Sequence, residues 1–328
     1  MNDTMTQPHP AIPTSKPTIT CPAAQETSFS QAVVSLLAAS VLSSLGWVFE
    51  GEAVKYLSPL SVISVALLLG GTAQLVIAYL LRSIRPLHLT SKELLSFLVF
   101  SLIRTACLSL LFAYCLTLTS SSKTMFLTKI EPYIVLLIQI AFYHHRTSAK
   151  HLTLLALHLC GAVVLSTGGT LALSSSLIGD AFLFLGVIIH ALLYAPAQRF
   201  SHRMGSLVAS GAGQVIGGVT LLPLALSYAG ADFSLSHERH LGWYYTLLTV
   251  VVFYILSTAL WFHSLKGVPA WLASALRCAG PVIAAPFAWV LFGQTLTPPQ
   301  VAGACTVIAT SIAMVFLERG KVNNTRSL

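Results

Sequence analysis

An all-α integral membrane protein, with ten transmembrane helices arranged as two inverted five-helix repeats, is the fold this sequence predicts. Three observations predict it. The 328-residue chain is 55% hydrophobic and only 9% charged, whereas a soluble domain carries roughly 25% charged residues. Its apolar residues fall into ten runs, each close to the ~20 residues that a helix rising ~1.5 Å per residue needs to cross ~30 Å of hydrocarbon. The last five runs also echo the first five. This composition excludes a water-soluble enzyme. Nucleic-acid binding by the net charge of +8 is excluded as well, because it would need the basic residues gathered on one wetted face.

The first 28 residues are polar and rich in Pro, Thr and Ser. Without a short apolar run ending at a small-residue cleavage site, they read as a disordered tail and not as a secretory signal. The apolar runs follow near 31-55, 59-81, 94-117, 121-143 and 151-168, then 180-200, 207-228, 241-265, 269-292 and 301-317, with a polar tail at 318-328. Each run must be a helix, since lipid offers no partner for exposed backbone groups and the alternation of a membrane β-barrel is missing. The six cysteines lack paired spacing, and Cys107, Cys115, Cys160, Cys278 and Cys305 sit inside apolar runs as small hydrophobes. Neither a disulfide framework, a metal site nor a cofactor is implied.

Basic residues orient the chain. With the N-terminus in the cytoplasm, that side receives Lys16, Arg82, Arg85, Lys92, Arg146, Lys150, Arg199, Arg203, Lys266, Arg319, Lys321 and Arg326. The opposite side receives Lys55, Lys123 and Arg239. Twelve against three follows the positive-inside rule and puts both termini in the cytoplasm. The cluster His144, His145, Arg146, Lys150 and His151 then reads as a cytoplasmic loop, with no acid or thiol nearby to complete a metal site.

Shifting the chain by 149 residues lays Phe112-Ala113-Tyr114-Cys115-Leu116 over Trp261-Phe262-His263-Ser264-Leu265, and Pro132 over Pro281. An odd number of crossings per copy inverts the second copy, which is how transporters with a site at the repeat interface are built. The stretch with Pro281, Gly293, Gln294 and Gly303, together with Gly179-Asp180 at the start of the second half, resembles the EamA-like branch of the drug/metabolite transporter superfamily. The resemblance covers 31-168 and 179-317. His144-His145 and Gln294 depart from the Gly-Glu pair of that family. Membership implies alternating-access transport without chemistry, a cavity lined by helices 1, 3, 4, 6, 8 and 9, and a bacterial inner membrane as the setting.

Ionisable side chains inside a bilayer cost at least ~2.5 kcal/mol on insertion scales, so they face a cavity or a partner. Arg104, Lys129, Glu131 and Arg277 all fall near the middle of their spans. Lys129 and Glu131 are two apart on a helix and cannot satisfy one another, so each needs a partner from another helix or from a ligand. Pro132 and Pro281 remove backbone donors toward Thr128 and Arg277, weakening both helices beside these charges. Glu50, one turn beyond Trp47, could hold a cationic group or a coupling proton, whereas Glu52 reads as a wetted helix end. His190 and Tyr194 share one stripe of span 6, and His263 occupies the position matching Tyr114. Such histidines are either hydrogen-bonded core residues or members of a proton relay.

Three cations and two or three anions make a mixed pocket. That pattern favours a zwitterion, with guanidinium on carboxylate, carboxylate on ammonium, and Trp47, Tyr114, Tyr194 or Trp261 covering an apolar body. An amino acid or an amino-acid-derived compound such as S-adenosylmethionine, a substrate the superfamily resemblance includes, is the first expectation. A nucleotide-linked or phosphorylated metabolite is the second. From another class, a membrane-embedded lipid-modifying enzyme would need an acid, base or metal cluster near one interface, and the ten acids and scattered histidines offer none. No GxxxxGK[ST] loop for ATP occurs. The expected partners are therefore a small-molecule substrate and the bilayer; a monomer suffices, and a dimer is compatible.

Overall fold

In the computed structural model, residues 28–84, 89–118, 130–143, 148–167, 177–233, 237–279, 282 and 297–326 are described. The chain runs as α1 (Phe29–Ala53), α2 (Pro59–Leu80), α3 (Ser91–Ser101, continuing through a π-helical Leu102–Cys107 into Leu108–Leu118), α4 (Glu131–Tyr143) and α5 (Ala149–Thr167). The second half follows as α6 (Leu177–Leu192, then Tyr194–Met204), α7 (Ser206–Tyr228), α8 (His237–Thr249, a π-helical Val250–Ser257 and Thr258–Ser264), α9 (Ala270–Arg277) and α10 (Pro298–Arg326). Seven of these helices are long and apolar enough to cross a membrane; Glu131–Phe142 and Ala149–Leu165 are shorter apolar helices. The count of ten spans is thus an expectation that the described residues match in order but not in every length.

Local chemistry explains the starts. Ser28 and Gln31 form a capping box before α1, Thr90 and Glu93 form another before α3, and Ser58 caps α2 with Pro59 at its first position. Pro132 falls in the first turn of α4, where a missing N–H breaks no bond within that helix. Its expected effect on the bond toward Thr128 falls before that helix. Thr128, Lys129 and Pro281 lie outside the described residues. At the other end, α10 continues to Arg326, past the expected boundary at 317, because a polar stretch leaving the membrane can stay helical in water.

Packing repeats itself between the halves. Helices α2 and α7 pack closely on one another, α5 packs on α10, and α4 on α9. Around these pairs, α3 meets α6 and α7 just as α8 meets α1 and α2. The π-helical stretches also fall at equivalent places in α3 and α8. Glycines make the close approaches. A Cβ at Gly71 would lie 2.7 Å from the amide nitrogen of Val215, and one at Gly218 would lie 2.7 Å from that of Leu68. In α5 and α10, a Cβ at Gly303 would meet the Gly161 carbonyl oxygen at 2.6 Å. Small residues at such crossings let backbones touch, and that contact replaces the hydrophobic driving force that lipid removes.

Polar ties hold the ends. Glu93 at the start of α3 pairs with Arg203, and with Arg199 at 3.6 Å, near the end of α6, above a ring cluster of Phe97, Phe100 and Phe200. At the opposite end, Asp232 in a 3-10 turn after α7 accepts from the Ser58 amide at 2.8 Å. Burial pushes the Asp232 carboxyl up, but the Ser58 hydrogen bonds and the Arg239 charge outweigh it and hold the group below the ordinary range. His151 and Glu318 join α5 to α10 at 3.2 Å.

Candidate functional site

The π-helical stretch of α8 shifts its backbone bonding from four residues to five, and leaves carbonyls for side chains to cover. Gln74 Nε2 from α2 donates to the backbone carbonyl oxygens of Tyr254 at 2.9 Å and Ile255 at 2.8 Å, and Gln214 Nε2 from α7 donates to the Tyr254 carbonyl oxygen at 3.0 Å. Ser257 donates to the Ala39 carbonyl of α1 at 2.8 Å. This local rewinding aims Phe253, Ser257 and Thr258 at a cavity also lined by Ala39, Ser43, Arg104, Trp261 and Arg277. Its volume is about 30 Å³, enough for about two waters.

The walls of that cavity are rich in donors. The Arg104 guanidinium lies over Trp261 at 4.4 Å from the ring centre and 5.0 Å from that of Phe262, while Arg277 lies 5.8 Å from Trp261. Arg104 Nε and Trp261 Nε1 are buried without a hydrogen-bond partner among the described residues. Among the described residues no carboxylate forms an ion pair with Arg104. A cation held on an aromatic face beside unpaired N–H groups is matched by a ligand that brings acceptors.

A second group sits against it. Glu131, at the start of α4, accepts from the Tyr194 hydroxyl at 2.5 Å and faces His190 Nδ1 at 3.0 Å. Arg277 donates to the Tyr194 hydroxyl oxygen at 3.4 Å. The rings of His190, Tyr194 and Trp261 follow one another edge to face at 5.5 and 5.4 Å. The stripe of His190 and Tyr194 thus supplies the partners that Glu131 needs from another helix, and the link reaches Arg277 on the cavity wall.

Other expected site residues lie elsewhere. Trp47 and Tyr114 are exposed, at 41% and 62%, and neither lines the cavity. Glu50 is half-buried on α1 and is not part of the lining, and Glu52 pairs with Lys55 at 2.6 Å as a wetted helix end would. His263 is half-buried near the end of α8, outside the lining. Phe253, Ser257, Thr258, Ser43 and Ala39 were not foreseen. Phe253 is the residue that the 149-residue shift lays over Arg104, so the repeat itself carried the signal for it. The hydroxyls had none, because their role depends on the π-helical turn.

The two halves pack alike around a cavity with two guanidinium groups in its wall, on helices apolar enough to span a bilayer. Of solved structures, 28 chains match this fold; one, described only as the crystal structure of a protein, has a TM-score of 0.75 at 15% identity, covering 88% of this chain and 98% of that one. That likeness is one of fold. No curated protein sequence matches the chain. The family model of the EamA-like transporter family matches twice, over residues 30–167 and 177–316. The chain belongs to this family of the drug/metabolite transporter superfamily, whose members are transporters and not enzymes.

Proposed function

We propose that the protein carries a small metabolite across a bacterial inner membrane, with both termini cytoplasmic, and recognises it by a carboxylate. An amino acid or amino-acid-derived zwitterion is the leading class. One observation carries this reading: Arg104 and Arg277 share a cavity in which Arg104 Nε and Trp261 Nε1 have no acceptor among the described residues. A carboxylate supplies acceptors to both and can be clamped by guanidinium. Because the oxygens of Glu131 are taken by Tyr194 and His190, the ammonium finds its acceptor elsewhere. Ser257, whose own hydrogen goes to the Ala39 carbonyl, offers free lone pairs at the cavity wall. Lys129, outside the described residues, stays a candidate contact.

The same occupancy of Glu131 favours a second reading, a phosphorylated or nucleotide-linked metabolite, since it leaves the cavity wall cationic. Uptake into proteoliposomes of labelled methionine, S-adenosylmethionine and a sugar phosphate, with and without the same compound inside, separates the two. Uptake of a zwitterion, lost in Arg104→Ala, is the expected result. Movement of the sugar phosphate alone would replace the first reading by the second.

A further inference from the structure

The charges around the cavity do not cancel. Arg104 and Arg277 are permanently cationic, and Glu131 is the one carboxylate among the described residues placed to answer them. Yet Glu131 is turned toward His190 and Tyr194, which with Arg277 form an unbroken chain from His190 to the cavity wall. Both members of the pair are largely enclosed, with side-chain exposure of 14% for His190 and 15% for Glu131. Tyr194 faces the pair from α6 itself and Arg277 from α9. Arg104 stands behind Trp261 on α3, and the Phe112 ring of α3 closes the remaining side of His190 at 6.5 Å.

We infer that Glu131 and His190 form a proton-binding site coupled to the occupant of the Arg104–Arg277 cavity, so that the carrier moves its substrate together with a proton. The argument is electrostatic. Two fixed guanidinium charges repel a further proton at the pair, and an anionic group seated against them cancels that repulsion. Proton and anion therefore favour each other's binding, and by linkage the effect is mutual. No covalent chemistry is involved beyond proton transfer: the pair takes a proton from water on the side to which the site is open, forming an N–H or O–H bond, and returns it to water on the other. Tyr194 transmits the change, since its hydroxyl is shared between Glu131 and Arg277.

The inference rests on the reading of the cavity as an anion site, and its test is separable from that reading. The pair is read first without substrate, from the nitrogen signals of ¹⁵N-labelled histidine in nanodiscs, with His190 assigned by its loss in His190→Asn. Its signal is expected to titrate between pH 4 and 8, and to shift in Glu131→Gln. A His190 signal unchanged across that range overturns the inference. In proteoliposomes, counterflow of methionine and of glucose 6-phosphate at equal pH then tests the substrate reading alone. If neither probe shows counterflow, that reading falls and the histidine titration decides the pair.

Where counterflow occurs, an inward gradient of one pH unit, with the membrane potential clamped at zero, should drive accumulation up to about tenfold for one proton per substrate. His190→Asn should still show measurable counterflow but only equilibrate the probe. Accumulation that persists in His190→Asn, or that is absent from the wild type, overturns the coupling.

Discussion

Arg104 combines a place inside an apolar helix, an aromatic face under its guanidinium and an Nε with no acceptor among the described residues. The stacking on Trp261 is specific to a flat cation, so Arg104→Lys keeps the charge and loses the fit. A cation–π contact is worth about 0.5–2 kcal/mol, and its loss should raise the apparent KM for a transported carboxylate by roughly 2- to 30-fold, measured as concentration-dependent uptake. An unchanged KM in Arg104→Lys would remove Trp261 from the site. That Arg104, Glu131 and Arg277 each need a partner was legible in the sequence because charges inside apolar runs are costly wherever they lie. The identity of their neighbours was not, because His190 and Tyr194 reach Glu131 from another helix, and Ser257 faces the cavity through a turn whose winding no residue pattern announces.

At the scale of helices, the π-helical stretches of α3 and α8 mark where each half rewinds its backbone beside the cavity. Each is met by a glycine of the opposite half: a Cβ at Gly217 would collide with Thr105, and one at Gly70 with Tyr254. Overpacking of this kind costs about 1–3 kcal/mol. Gly217→Ala should therefore lower the unfolding temperature in detergent. Gly51→Ala, at a helical position with nothing within 4 Å of the added Cβ, should hold or raise it, because alanine is the better helix former. Equal unfolding temperatures for the two variants would contradict the close α3–α7 contact. Local caps at Ser28, Ser58 and Thr90 fix the starts of α1, α2 and α3, whereas the apolar runs gave those starts only to within a few residues. The last end was further off: α10 runs on to Arg326 because a helix ends where its backbone loses partners, and not where its hydropathy falls.

Over the whole molecule, the two halves tie to one another at both ends, through Glu93 with Arg199 and Arg203 at one and through Asp232 with Ser58 at the other. In the orientation proposed from the bias of basic residues, the Glu93 end faces the cytoplasm. In a background without the six native cysteines, Arg239→Cys should react with an impermeant maleimide in intact cells, and Arg203→Cys only after permeabilisation. The reverse pattern would invert the orientation.

Composition and apolar run length determined that this chain lies in a membrane as helices, since lipid leaves only helices or closed barrels and the alternation of a barrel is missing. The 149-residue echo made the two-repeat architecture legible, and the family model matches once in each half. Tertiary structure decided which charges meet. It gave Glu131 to His190 and Tyr194 and left Arg104 on Trp261 facing an acceptor-poor cavity, while placing Trp47 and Tyr114 away from it. The physical reason is that a buried charge declares in sequence only that it needs a partner. Which partner it finds depends on how closely helices approach and how each is turned, and here glycine contacts and two π-helical turns set both.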